Sequence, residues 1–466
     1  MSIFRTKNLD AMIAASAKPG GLKKVLGPTD LILLGIGAIV GTGIFVLTGT
    51  GAVTAGPGLS LSFVIAAMAC CFAALCYAEF ASTVPVAGSI YTYSYATLGE
   101  FVAWMIGWDL LLEYGLATST VAVGWSGYFQ SLLSGFGLVL PDALTAAPGA
   151  RPGVETLFNL PAFLIMMAIT FLLSLGMRES ARLNNVMVII KISVVLLFIA
   201  VGVGHVKPEN WQPYMPYGMT GVMSAAALVF FAFIGFDAVT SAAEEVKNPA
   251  RDLPIGIIGS LIICTILYVV VAAIMTGIVP HMDFKGIDHP VSLALQVAGE
   301  DWVAGFVDLA AILGMSTVML VMAYGQTRIL YAMSRDGLMP ARLSKVHPKY
   351  GTPFFATWLV GIIFGLIAAV VPLTVLAELV NIGTLAAFTL VSIAVIVLRK
   401  KRPDLPRAFR CPAVPLIPIL AIIFCLVLMS FLSWHTWVAF AIWLAIGALV
   451  YFGYARKHSL LNNTPQ

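Results

Sequence analysis

Long apolar runs separated by short polar ones set the plan of this chain. A helix needs about 20 consecutive apolar residues to cross the hydrocarbon of a bilayer. Twelve runs of that order succeed one another, at about 29–50, 59–83, 100–132, 158–177, 183–204, 218–241, 253–279, 302–332, 353–371, 374–398, 412–431 and 434–454. Barrel strands need only about 9–11 residues, and nothing but helices or closed barrels satisfies every backbone group in lipid. The pattern therefore predicts an all-α integral membrane protein with 12 transmembrane helices. Runs three and eight are long enough to project beyond the hydrocarbon. No soluble domain is expected between the runs.

Composition and charge agree with lipid as the main solvent. Of 466 residues, 60% are hydrophobic and 10% charged, whereas soluble domains carry about 25% charged residues. Of the 26 Lys and Arg, all but Arg151, Lys207, Lys285 and Lys191 fall on one side if both termini are cytoplasmic. That asymmetry obeys the positive-inside rule and supports the run count. No basic patch with interleaved aromatics suggests nucleic acid as a partner. The six cysteines (Cys70, Cys71, Cys76, Cys264, Cys411, Cys425) lie in or beside apolar segments without CxxC spacing, so small packing residues are expected rather than a metal site or disulfides. His205, His281, His289, His347, His435 and His458 all fall in loops, in tails or at a run edge. With no HExxH, GxSxG or Walker-type loop, neither an enzyme nor an ATP-driven pump is expected, and no cofactor or metal. No short apolar leader precedes run one, so no cleaved signal peptide is expected.

Run one is interrupted. It reads Gly35-Ile36-Gly37-Ala38-Ile39-Val40-Gly41-Thr42-Gly43-Ile44-Phe45, and each Gly costs about 1 kcal/mol against Ala inside a helix. Two readings fit. The glycines let helix backbones approach closely, or the helix is broken there and its second half offers free N–H groups and a positive dipole end to a carboxylate. The spacing lacks GxGxxG and no Lys follows, which argues against a phosphate loop. Run six has a counterpart in Phe230-Phe231-Ala232-Phe233-Ile234-Gly235-Phe236-Asp237. Interrupted spans in first and sixth place are what an inverted five-plus-five repeat would put around a midplane site.

Gly41-Thr42-Gly43-Ile44-Phe45, taken with further motifs, resembles the amino acid–polyamine–organocation superfamily. Glu79 with Pro85, Gly88, Tyr91 and Tyr93 resembles that family's second-span exit, with Ser89 in place of a second Gly. Gly107-Trp108-Asp109 followed by Glu113, then Glu244-Glu245-Val246-Lys247-Asn248-Pro249 with Arg251 and Pro254, match as well. So do Thr327-Arg328, Tyr331, Arg335-Asp336-Gly337 and Pro340. The chain looks most similar to bacterial members of the cationic amino acid transporter group. The resemblance implies a LeuT-type fold with helices 1 and 6 broken. A cytoplasmic segment at 1–28 would precede a ten-helix transport core at 29–398, with repeats at about 29–204 and 218–398. Helices 11 and 12 at 412–454 and a cytoplasmic tail at 455–466 would follow. It also implies a substrate carboxylate at the N–H groups near Gly41, Thr42 and Gly43, and an α-ammonium at carbonyls near Ile39, Phe231, Ala232 and Ile234.

Lys191 and Glu113 stand out among the charges inside predicted spans. Lys191 stands about 10–12 Å into run five at 1.5 Å per residue. It either snorkels to the interface or, buried with a depressed pKa, carries a proton; the resemblance favours the proton carrier. Glu113 is either a hydrogen-bonded packing carboxylate or a substrate-side group. Asp237 and Arg328 are candidates for an inner gate, beside the plainer reading of helix-end salt bridges that also covers Asp109, Glu79, Glu244, Glu245 and Arg335. Met315, Met319 and Met322 read as packing or as a cavity stripe, and Trp104, Trp108, Trp211 and Trp434 as interface anchors or gate residues. The expected function is proton-coupled import of L-amino acids across the cell membrane by alternating access. Exchange without net proton coupling and amino-acid sensing are the alternatives. A monomer is expected, and a small single-span accessory peptide would leave no mark in this sequence.

Overall fold

The structure, a computed structural model, describes residues 5, 26–83, 91, 94–95, 99–176, 181–237, 239, 246–403, 405, 407 and 409–462. Pro85, Gly88, Ser89, Tyr93, Glu244 and Glu245 lie outside the described residues. Among the described residues the chain is helical and has no strand; one isolated parallel bridge joins Leu26 and Val246.

Run one folds as three pieces: α1 (Pro28–Ile39), α2 (Thr42–Phe45) and α3 (Leu47–Ala55). Helix α1 starts on Pro28, where a missing N–H costs nothing, and the Asp30 carboxylate accepts the Gly27 N–H at 2.9 Å. A turn at Gly56–Gly58 leads into α4 (Leu59–Thr83). Then come α5 (Glu100–Gly135), α6 (Leu160–Ser174) and α7 (Ala181–Gly202). The Asn159 side chain caps α6 by accepting the Ala162 N–H at 3.2 Å, satisfying one of the free first-turn donors. Run six, expected at 218–241 with an interruption near Gly235, folds as α8 (Gly218–Val229), which tightens into a 3-10 turn at Phe230–Phe233. Ile234 is then extended, and Gly235 has φ +116°, a conformation that favours glycine.

The remaining helices are α9 (Pro249–Ile278), α10 (Pro290–Val297), α11 (Asp301–Arg335), α12 (Phe354–Val370), α13 (Leu373–Lys401), α14 (Leu416–Ser430) and α15 (Trp434–Val450). The short α10 was not anticipated, because eight residues in a polar loop carry little periodic signal. Six helices among the described residues are long and apolar enough to cross a membrane; five shorter apolar ones, including α1, α6 and α12, accompany them. Large apolar side chains such as Ile266 and Leu449 face outward, which suits a lipid surrounding rather than water.

Helix α9 packs on α1 and α4, while α5 packs on α11 and α13. The broken segments sit between these groups. Small residues set the approach: a Cβ on Gly43 would fall 2.2 Å from Ala232 Cα, and one on Gly35 would fall 2.5 Å from Ser260 Oγ. Both readings of the glycine cluster therefore hold, Gly35 and Gly43 for close approach and Gly41 for the break.

Candidate functional site

The break in α1 decides where its last carbonyls go. Four carbonyls at a helix C-terminus lose their intrahelical partners, and buried ones need others. Ile36 O still accepts the Val40 N–H at 2.8 Å. Gly37 O accepts from Lys191 Nζ at 2.9 Å. Ile39 O accepts from the Tyr268 hydroxyl at 3.0 Å, and the same hydroxyl lies 3.0 Å from Ala232 O. Tyr268, fully buried on α9, thus staples the broken end of α1 to the 3-10 turn after α8. On the other side of that turn Asn381 Nδ2 from α13 donates to Ala227 O at 2.7 Å and Leu228 O at 2.8 Å.

Beyond the break, Gly41 is the N-cap of α2 and has no side chain to cap it. The first helical bond is Phe45 N–H to Gly41 O at 3.2 Å. The N–H groups of Thr42, Gly43 and Ile44 therefore have no helical acceptor, and they form the positive end of a helix dipole. Free donors and engaged acceptors face each other across two extended residues, Val40 and Gly41.

A small cavity of about 20 Å³ lies at this point, lined by Ala38, Ile39, Gly41, Thr42, Gly43, Ala117, Val121, Phe231, Ile234, Val318 and Met322. That is room for about one water, so a solute must widen it. Six expected site residues line it: Ile39, Gly41, Thr42, Gly43, Phe231 and Ile234. Ala232 stands just behind, against Gly43. Its side-chain end is apolar, built by Ala117 and Val121 of α5 and by Val318 and Met322 of α11. Each of those pairs is four residues apart and so shares a helix face. The methionine stripe divides: Met322 lines the cavity, and Met315 Sδ accepts from Thr42 Oγ1 at 3.4 Å.

Glu113 does not line the cavity. It is buried one turn before Ala117, with Asp237, Asp109 and Thr384 nearby, and its Oε2 has no hydrogen-bond partner among the described residues. Lys191 is 1% exposed at the middle of α7. Its stem crosses Gly314, where an added Cβ would lie 2.8 Å from Lys191 Cε. The side chain therefore runs inward to α1, and the snorkelling alternative does not describe it. The Arg328 guanidinium lies 4.8 Å over the Tyr324 ring. Glu79 makes a helix-end salt bridge, bound by Arg399 at 2.9 and 2.6 Å and by the Cys411 N–H at 2.8 Å. Tyr268 and Asn381 escaped the sequence reading because each is a single polar residue in an apolar run, and their targets are backbone atoms far along the chain.

The pattern of the amino acid permease family matches residues 26–453. The chain is 68% identical over 461 residues to the branched-chain amino acid permease BcaP of Bacillus subtilis, covering 99% of both proteins. It is 55% identical over 462 residues to the methylthioribose transporter of the same organism, again covering 99% of both. It is 38% identical over 414 residues to the vacuolar cationic amino acid transporter 4 of Arabidopsis thaliana, covering 86% of this chain and 68% of that one. These relatives are permeases and transporters, not enzymes. A chain whose helices break around a small apolar cavity, and whose sequence matches this family almost from end to end, belongs to the amino acid permeases of the amino acid–polyamine–organocation superfamily.

Proposed function

We propose that the protein is a secondary active transporter that imports branched-chain L-amino acids across the cell membrane by proton symport with alternating access. In this reading 12 helices span the membrane in a LeuT-type arrangement with both termini cytoplasmic. The observation that carries the substrate class is the cavity wall. An amino acid brings one carboxylate, one ammonium and one side chain. The unpartnered N–H groups of Thr42 and Gly43 suit the carboxylate. The carbonyls near Ile39, Phe231, Ala232 and Ile234 suit the ammonium, with Ile39 and Ala232 shared with Tyr268. Ala117, Val121, Val318 and Met322 leave an apolar end for an aliphatic side chain, and no charged residue lines the cavity among the described residues. The 68% identity to a branched-chain amino acid permease supports the same class.

Lys191 supports the proton. A cation held at the carbonyl end of α1 is favoured by the helix dipole, and its loss on deprotonation would loosen α1 from α7. Deprotonation and movement of the broken helix are thereby linked in one contact. Importing one positive charge gains about 2.3 kcal/mol per 100 mV, sufficient to drive accumulation.

The test is uptake of radiolabelled solutes into proteoliposomes, with and without an inward proton gradient, at varied sodium. Leucine, isoleucine and valine are expected to accumulate with the gradient and without sodium. Counterflow with no gradient response would refute proton symport in favour of exchange. A second reading, a thioether sugar as substrate, is favoured by the 55% identity to a methylthioribose transporter. It has no carboxylate for the α2 N–H groups, so competition between methylthioribose and leucine in the same assay separates the two.

A further inference from the structure

Asp308 stands about two turns into α11, at the end of that helix away from the C-terminal tail, since Asp336 O at the other end accepts the Leu460 N–H at 3.2 Å. It is 3% exposed. It does not line the cavity and forms no ion pair among the described residues. An ionised carboxylate in such a place needs a counter-charge, and neutral hydroxyls do not replace one. Ser131 Oγ of α5 donates to Asp308 Oδ2 at 2.8 Å. Asp308 Oδ1 has no hydrogen-bond partner among the described residues. Neither has the Oγ of Ser292, a fully buried residue of α10 that lies beside it.

These two idle oxygens lack only a proton. A neutral carboxyl carries one O–H donor, and a proton on Asp308 Oδ1 would find its acceptor in Ser292 Oγ. The neighbours do not supply the positive charge that the ionised form would need. Tyr128 of α5 faces Asp308, but its hydroxyl donates to Phe45 O at 2.5 Å. His289 lies against the Tyr128 ring, centroids 6.3 Å apart, and burial pushes its imidazole down, so it is neutral. Arg151 is engaged 3.7 Å from Asp288, which packs over Gly127. The His205–Glu300 pair is about two turns away, at the start of α11. Helix α10 carries no charged residue. It packs on the broken first run: a Cβ on Gly49 of α3 would fall 2.8 Å from Pro290 Cβ. The carboxyl is thus enclosed between α5, α10 and α11.

We propose that Asp308, Ser131 and Ser292 form a proton-binding site separate from Lys191, which loads from the face opposite the C-terminal tail before α10 seats. A carboxylate wetted from that face accepts a proton on Oδ1, and the neutral group is then buried with its O–H donated to Ser292 Oγ. The proton returns to the side it came from when α10 leaves, so the site adds nothing to the number of protons carried per solute. The site itself does not depend on transport; its loading before closure rests on the alternating-access reading.

The test is infrared difference spectroscopy of the purified full chain in proteoliposomes at neutral pH. Asp308→Asn should remove one carboxylic-acid C=O band, which an ionised carboxylate does not have, and that band should persist in Lys191→Met. Ser292→Ala should keep the band and move it to higher frequency, because the O–H loses its acceptor. If Asp308→Asn removes no such band, the carboxyl is ionised and the proposal is overturned; a band that Ser292→Ala leaves in place overturns it as well. Should Asp308→Asn fail to fold, the shift in Ser292→Ala decides alone. For the loading step, leucine counterflow is measured with the pH raised equally on both sides. The ratio of the native rate to that of Asp308→Asn should fall about tenfold per pH unit, the dependence of one proton above its ordinary carboxyl range; a constant ratio overturns the loading step. The Ser292-sensitive band without uptake of any solute would discard the transport reading and keep the site, and uptake without the band would do the reverse.

Discussion

Replacing Lys191 with methionine isolates the charge from the volume. The side chain fills the space over Gly314, so Lys191→Ala would open a void as well as remove the cation; Met keeps most of the stem. Gly37 O then loses the donor that lies 2.9 Å away, and an unsatisfied buried acceptor costs about 1–3 kcal/mol. That cost falls on every mode of transport alike. The coupling does not. For one proton per solute at zero membrane potential, an inward gradient of one pH unit supplies about 1.4 kcal/mol, a tenfold accumulation. A potential of 100 mV, negative inside, adds about 2.3 kcal/mol. In proteoliposomes the native chain should therefore reach about a tenfold leucine ratio with the pH gradient alone. Lys191→Met should reach a ratio near one while keeping counterflow exchange. A tenfold ratio surviving in Lys191→Met would remove Lys191 from the coupling step. Loss of exchange together with accumulation would show a structural role instead.

Tyr268→Phe removes the donor shared by Ile39 O and Ala232 O and leaves the ring in place; at about 1–3 kcal/mol solute affinity should weaken roughly five- to 150-fold, checked by binding of labelled leucine in detergent. Gly43→Ala should abolish that binding, since its Cβ would stand 2.2 Å from the Ala232 backbone, which cannot swing aside as a side-chain end could; native-like affinity would show that the two broken segments are not in contact. In the loop before α10, burial and then the neighbouring Arg151 charge push the His289 imidazole down, to about 4. The fold therefore holds it neutral, and its stability is complete above about pH 6.5, the ordinary value, and falls as the pH drops from there through 4. Thermal unfolding at pH 7 and pH 4.5 should show a smaller acid-induced drop for His289→Gln than for the native chain; an equal drop would place the acid sensitivity elsewhere.

The broken first run was legible because it violates its own context. Glycines at 35, 37, 41 and 43 have no reason to be in a solvated helix, and each fits a close approach or a break. The cavity's polar end followed from them, since a broken helix must expose N–H groups on one side and carbonyls on the other. Run six was legible only as an interruption. The place of the break within it was not legible, because apolarity continues through Phe236 although the helix has already tightened at Phe230. Glu113 was singled out for its charge, yet charge says nothing about depth: it shares a helix face with Ala117, but it stands one turn farther along the axis, and Ala117 is the residue on the wall.

What the sequence by itself determined are the quantities that depend on local chain and solvent. These are helical segments from long apolar runs, the polar stretches between them that hold most Lys and Arg, the positions where a helix pays for glycine, and the absence of catalytic motifs. The tertiary structure alone decided which distant atoms meet. Lys191 ends on Gly37, Tyr268 bridges Ile39 and Ala232, Asn381 reaches Ala227 and Leu228, and Arg5 closes on Glu100. Each of these four pairings involves a backbone carbonyl, that of Arg5 in the last, and all residue types but proline share the same backbone acceptor and donor. Such partners have no signature in the sequence, and only the packing of helices, set by the small residues between them, brings them within hydrogen-bond reach.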